Sequence, residues 1–317
     1  MRVPELREAK PATLWPLTIE RVEPTQSVDS AGPTAVEFAG IVREFDIAGE
    51  TSAHDVDAIE TGMNRFGVLV IPGQPVTDGQ QLAFSRHFGP LLEGANTTVR
   101  RDQLRLDPAF ADVSNVDQEG RLLTADDRRR LASLGNRLWH SDASFRTIPA
   151  RFSFLSARTI PKEGGNTEFA DMRAAYDALD SHTQSRIENL VCEHSQLYSR
   201  ARLGFANFTE DERERMKPVL HRLVRVHPQT GRKSLYLSAH IGAIVVWLRP
   251  EALAFIGDLT EHATQRRFVY SHTWQRDDLV IWDNRCTMHR VRSFDDVKER
   301  RDMRRTTTRA EAATVPQ

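Results

Sequence analysis

The stretch Trp139-His140-Ser141-Asp142 decides how the rest of this chain is read. It sets an imidazole and a carboxylate two positions apart, beside a large aromatic. In an extended strand, residues i and i+2 point to the same face. Both side chains can then approach one metal ion. A third donor has to come from elsewhere, and His289 in Cys286-Thr287-Met288-His289-Arg290 is the candidate. Two histidines and one carboxylate form the facial triad that suits non-haem Fe(II) and leaves positions open for substrate and oxygen. A lone His-x-Asp is weak evidence in a chain with 11 histidines. Its bland alternative is a half-buried histidine bonded to a neighbouring carboxylate.

Composition narrows the classes. The chain has 317 residues, 39% hydrophobic and 27% charged, which fits a soluble globular protein with a large core. A formal net charge of -1 gives no global attraction to nucleic acid or to an anionic membrane. Only Cys192 and Cys286 occur, so neither a disulfide framework nor a CxxC zinc site is expected. The start, Met1-Arg2-Val3-Pro4, has no apolar signal region, and the longest apolar runs are too short to span a bilayer. A cytoplasmic location is the expectation. Composition does not distinguish a monomer from a homo-oligomer.

Residues 1–35 carry five prolines and little periodicity, and read as an extended or poorly ordered lead-in that can supply an edge strand. Residues 36–310 read as a single domain, and 311–317 as a frayed tail. Val56, Ile59, Met63 and Phe66 share a helix face, followed by the apolar run Val68-Leu69-Val70-Ile71 and its Pro72-Gly73 stop. Thr77-Asp78-Gly79-Gln80 and Ser181-His182-Thr183-Gln184 both have the form of capping boxes. Short strands are predicted near 112–116, 152–157 and 166–170, and Leu138 to Phe145 carries the opening motif. A hairpin is predicted from 223 to 237, turning at Pro228-Gln229-Thr230-Gly231. Phe268 to Trp274 and Asp278 to Trp282 read as a pair of antiparallel strands, and Arg301 to Thr308 as the last strand. Many short strands interrupted by helices give a mainly β sandwich with added helices.

Three features strengthen the metal reading. His289 follows the apolar strand Leu279 to Asn284 and can point into a barrel mouth, where small-molecule sites are common. Arg301 and Arg305 are four apart and share a strand face. Two guanidiniums inside a barrel are costly unless each meets an anion, and arginine binds carboxylates through paired hydrogen bonds. Thr167, after the Gly164-Gly165 turn, offers a hydroxyl to one such carboxylate.

These motifs resemble a known family. Residues 136–145 (Asn136-Arg137-Leu138-Trp139-His140-Ser141-Asp142-Ala143-Ser144-Phe145), Gly164 to Phe169, Asp171 to Tyr176 and Trp282 to Arg290 are similar to the taurine/2,4-dichlorophenoxyacetate dioxygenases. The likeness covers roughly residues 60 to 310 and favours the 2,4-dichlorophenoxyacetate branch. It implies a double-stranded β-helix (jelly roll), Fe(II), and the co-substrates 2-oxoglutarate and O2. By position it implies His140, Asp142 and His289 as iron ligands, Thr167 and Arg301 on the distal carboxylate of 2-oxoglutarate, and Arg305 on the substrate's carboxylate. It also implies Asn136, His227 and His240 near the substrate, although a packed or surface role for the two histidines weighs equally.

Departures fall around the substrate. A lysine of the branch is replaced by Thr97, a second basic position is kept as Arg121, and the span from His289 to the arginines is one residue longer. Arg300 and Arg304 are therefore the alternative register. The implied reaction is hydroxylation of a small carboxylate, with cleavage of an aryloxyacetate ether to phenol and glyoxylate as the specific case. Sulfonates, sulfate esters and natural-product acids are alternative substrates. A non-enzymatic metal-binding jelly roll is the alternative class.

Overall fold

In a computed structural model, which describes residues 17–22, 38–94, 104–204 and 207–315, the apolar run Val68–Ile71 is a strand buried at all four positions. The elements begin with β1 (Thr18–Arg21), β2 (Ala39–Arg43), α1 (Ala53–Phe66), β3 (Val68–Ile71), α2 (Asp78–Arg86), β4 (Phe110–Ser114), α3 (Arg128–Ser133) and β5 (Ala150–Thr159). There follow β6 (Thr167–Asp171), α4 (Met172–Asp177), α5 (Ser181–Ile187), β7 (Val191–His194), α6 (Gln196–Ala201), α7 (Glu210–Arg215), β8 (Val219–Arg222), β9 (Val224–Val226) and β10 (Lys233–Leu235). The chain closes with β11 (Ile241–Ile244), α8 (Arg249–Ala263), β12 (Val269–His272), β13 (Leu279–Asp283), β14 (Thr287–Val291) and β15 (Asp302–Arg309).

Strands β1-β2-β3-β13-β5-β15-β4 form one large sheet, and β12-β6-β14 form a smaller one. Their facing sides bury Leu155, Phe169, Val280, Trp282 and Met303 together. The other side of the large sheet packs Leu69, Ile71, Phe152 and Phe154 against Ile59, Met63 and Phe66 of α1 and Phe84 of α2. Behind the small sheet, Ala170 and Met288 meet Met172 and Ala175 of α4 and Ile256 and Leu259 of α8. The architecture is a jelly roll with helices outside both sheets. The period of two is visible in β13: Leu279 and Ile281 face the helices, whereas Val280 and Trp282 face the opposing sheet.

Local chemistry sets the boundaries. Ser52 and Asp55 close a capping box at the start of α1, and Gly67 ends that helix in the left-handed region at φ 77°. Thr77 and Gln80 close the predicted box at α2. The second predicted box does not form. Asp180, one residue earlier, caps α5 by accepting from the Thr183 backbone at 2.9 Å and its hydroxyl at 2.6 Å. A carboxylate can take both donors, and Gln184 is drawn away to the Tyr176 and Leu179 carbonyls.

The expected pairing of Phe268–Trp274 with Asp278–Trp282 is also corrected. β12 pairs with β6, while β13 pairs with β3 and β5, so the two runs lie in opposite sheets. Each can bury one face on the shared interior only by crossing over at the intervening turn. β1 forms the outer edge of the large sheet, with Ile19 packed so close to Gly62 that a Cβ there would stand 2.5 Å from it. After Ala310, the Thr314 hydroxyl bonds to His221 Nδ1 and the Arg222 backbone. Among the described residues no helix is long and apolar enough to cross a membrane.

Candidate active site

His140, Asp142 and His289 converge between the two sheets, with one donor atom from each lying within 4.8 Å of the others. His289 comes from β14. His140 does not sit in a continuous strand, the geometry in which positions i and i+2 share a face, but in a single bridge opposite His289. The chain then turns at once, with Ala143 held at φ 50°. That turn, rather than strand alternation, swings Asp142 beside His140. The carboxylate Oδ1 lies 3.8 Å from His140 Nε2 and 3.7 Å from His289 Nε2.

Each donor is held from behind. His140 Nδ1 donates to the Leu138 carbonyl at 2.7 Å, which leaves the Nε2 lone pair facing Asp142. Asp142 Oδ2 accepts from the Ser153 hydroxyl at 2.7 Å, and Ser153 in turn accepts from Asn284 Nδ2 at 2.9 Å. Asn284 Oδ1 accepts from the Asp142 backbone at 3.0 Å and from the Trp282 indole at 3.1 Å. Burial holds both imidazoles below their usual pKa, so they are neutral donors near pH 7. Burial alone would raise the Asp142 carboxyl. The Arg305 guanidinium and the Ser153 hydroxyl oppose this and keep it ionised. Two neutral imidazoles and one carboxylate are a donor set that fits Fe(II).

A second group of side chains suits a carboxylate ligand. Thr167 opens β6, and its Oγ1 accepts from Trp274 Nε1 at 2.9 Å. That bond uses a lone pair and leaves the hydroxyl proton to donate. Arg301 is 4% exposed, and its Nε is buried without a hydrogen-bond partner among the described residues. Burial lowers its pKa to about 10. Gly165, at φ 70°, lies between them: a Cβ there would approach Arg301 Nε at 3.6 Å. A buried guanidinium with an orphaned N–H is built for an anion.

Beside the three metal donors opens a cavity of about 180 Å³, lined by Leu104, Leu106, Phe110, Leu123 and Phe145 on its apolar side. Asn136, His240, Arg200 and Arg305 supply the polar side. Arg305 Nη1 lies 2.5 Å from Asp142 Oδ1. In the alternative register, Arg300 is exposed and Arg304 pairs with Asp78 of α2, away from the cavity. His240 Nδ1 bonds the Ser199 hydroxyl at 2.9 Å, and its ring sits 6.2 Å from that of His140.

Two of the other expected substrate residues, His227 and Arg121, do not line this cavity. His227 is buried against Asp283, with Nε2 3.0 Å from its carboxylate. Arg121 projects from a turn with its side chain 72% exposed and is tied to Asp117 and Glu119. Two adjacent carboxylates hold that guanidinium at the surface. Thr97 lies outside the described residues. Ser153, Asn284 and Arg200 carry no motif of their own and were not anticipated as site residues; only the folded packing brings them in.

The model of the taurine catabolism dioxygenase TauD, TfdA family matches residues 29–307. The alpha-ketoglutarate-dependent 2,4-dichlorophenoxyacetate dioxygenase of Cupriavidus pinatubonensis is 44% identical over 279 residues, covering 88% of this chain and 96% of that protein. The (S)-phenoxypropionate/alpha-ketoglutarate-dioxygenase of Sphingobium herbicidovorans is 34% identical, covering 84% and 91%. The solved structure of AAD-2 in complex with Mn(II) and N-oxalylglycine superposes with a TM-score of 0.84 at 46% identity, covering 95% of this chain and 99% of that one. By family match, by identity over most of its length and by fold, the chain belongs to the taurine catabolism dioxygenase TauD, TfdA family.

Proposed function

We propose that this Fe(II)- and 2-oxoglutarate-dependent dioxygenase hydroxylates a small aryloxyalkanoate at the carbon between the ether oxygen and the carboxylate. For an aryloxyacetate the hydroxylated product is a hemiacetal, which breaks down to a phenol and glyoxylate. One O2 is consumed, and 2-oxoglutarate leaves as succinate and CO2. When bound, the iron and its co-substrate supply the oxidation of the C–H bond. The protein supplies positioning and a closed site. His140, Asp142 and His289 hold the metal. Thr167 and Arg301 hold the distal carboxylate of 2-oxoglutarate, and Arg305 meets the substrate's carboxylate. Asn136 and His240 border the substrate, whose ring rests on Leu104, Leu106 and Phe110. Cytoplasmic work is consistent with two free, buried cysteines.

The observation that carries this reading is the buried His-Asp-His cluster beside a cavity lined by apolar side chains and by Arg200 and Arg305. Two relatives support the substrate class through the phenoxyacetate and phenoxypropionate in their names. A turnover screen tests it: aryloxyacetates, aryloxypropionates, sulfonates and sulfate esters, each with Fe(II), 2-oxoglutarate and O2, following succinate and the released phenol. Phenol and glyoxylate in equal amounts from an aryloxyacetate are expected. Turnover confined to sulfonates or sulfate esters would refute the substrate class.

A further inference from the structure

Arg200 has no partner among the described residues. It lies on α6, lines the cavity beside the metal donors, and among the described residues its guanidinium makes no ion pair and no hydrogen bond. The other cavity arginines differ. Arg105 is clamped between Asp112 and Asp302, Arg129 pairs with Asp127, and Arg305 contacts Asp142. An unpaired guanidinium in a cavity is costly, because desolvation penalises the charge and nothing offsets it. Burial accordingly lowers its pKa from the usual arginine value.

The position is built rather than incidental. Helix α6 is capped by Ser195, whose hydroxyl accepts from the Leu197 backbone and donates to the Met216 carbonyl at 2.5 Å. Tyr198 packs on Gly242, where a Cβ would stand 2.2 Å from its ring. The same helix sets Ser199 against His240. Across the cavity, Gly135 leaves room for the guanidinium itself: a Cβ at 135 would stand 2.1 Å from Arg200 Nη1. The charge of Arg200 acts on His140 and His240, whereas that of Arg305 acts on Asp142, His289 and His140.

We infer that Arg200 is a second specificity residue that binds the substrate's anionic group, alongside Arg305. This rests on the proposed carboxylate substrate and assigns a second, unopposed cation to it. Arginine can offer two parallel N–H donors to a carboxylate, so an acid is favoured over a neutral amide of the same shape.

The test compares phenoxyacetate with phenoxyacetamide by anaerobic titration calorimetry on protein loaded with Fe(II) and 2-oxoglutarate. Wild type is expected to bind the acid at least tenfold more tightly than the amide. Arg200→Gln should cut that preference several-fold, Arg305 remaining in place, and leave the amide and 2-oxoglutarate affinities within about twofold. Gly135→Ala, which displaces the guanidinium without removing it, should weaken the acid several-fold. The melting temperature of Arg200→Gln should not fall, since an unpaired charge is being removed. If Arg200→Gln keeps the wild-type acid preference, the assignment is overturned while the acid substrate stands. If it melts lower and loses the acid, the amide and 2-oxoglutarate together, Arg200 is a structural residue and the assignment is again overturned. If wild type itself shows no acid preference, both the assignment and the proposed substrate class fall.

Discussion

The backbones of His140 and His289 exchange both of their hydrogen bonds, at 3.0 and 2.9 Å, although 149 positions separate them in the chain. This one bridge ties a loop to β14 and brings the two imidazoles to a centroid distance of 4.2 Å. The metal geometry is therefore set by main-chain pairing, and side-chain rotamers only refine it.

The carboxylate is refined by the run from Trp282 through Asn284 and Ser153 to Asp142. Ser153→Ala removes the donor to Oδ2 and should weaken Mn(II) or Fe(II) binding about ten- to a hundredfold, as loss of such supporting partners does. Metal titration under anaerobic conditions checks this. Unchanged affinity would mean that Asp142 is positioned by its backbone alone.

The two strand-end arginines should separate kinetically. Arg301→Ala is expected to raise the KM for 2-oxoglutarate at least tenfold, and Arg305→Ala to raise the KM for the organic acid more than that for 2-oxoglutarate. Gly165→Ala should resemble a mild Arg301 variant, because its methyl would press on Pro161 and approach Arg301 Nε. Steady-state kinetics with each substrate varied in turn decides the matter. A reversed pattern would exchange the two roles.

Acid should destabilise the fold earlier than carboxylate titration alone requires. His194 and His221 are buried with ring centroids 5.2 Å apart, and both nitrogens of His194 lack partners. Burial pushes His194 well below 6.5 and His221 down to about 4. Unfolded, both protonate near pH 6.5, so between that value and about 4 the unfolded chain binds more protons. Their contribution is complete above pH 6.5 and is lost as pH falls, by on the order of 3 kcal/mol from His221 alone at pH 4. Urea midpoints at pH 7.5, 5.5 and 4.5 measure it, and His221→Asn should flatten the slope.

Periodicity made much of the scaffold legible. The face of Ile59, Met63 and Phe66, the buried run Val68–Ile71, and the hairpin β9–β10 follow from local pattern and turn residues. The pairing of β12 and β13 was not legible, because alternation says which face is apolar and not which sheet receives it. The metal donors were legible because His-x-Asp is a compact motif. His227 was not separable from pocket residues by sequence, since nothing local reveals Asp283, 56 positions away, and Arg121 was not, because the turn that sets it on neighbouring Asp117 and Glu119 is a tertiary outcome. Arg200 shows the converse: a residue without a motif becomes notable only through the absence of a partner in the folded chain.

The most direct test of the account is substrate-dependent succinate formation by the His140→Ala variant in iron-replete, oxygenated buffer, alongside wild type. The bridge to His289 is made by backbone atoms and survives this change, so the fold should persist while one metal donor is lost. Succinate formation is predicted to fall to the level of the protein-free control, whereas near wild-type turnover would contradict the assignment of His140, Asp142 and His289 as the iron site.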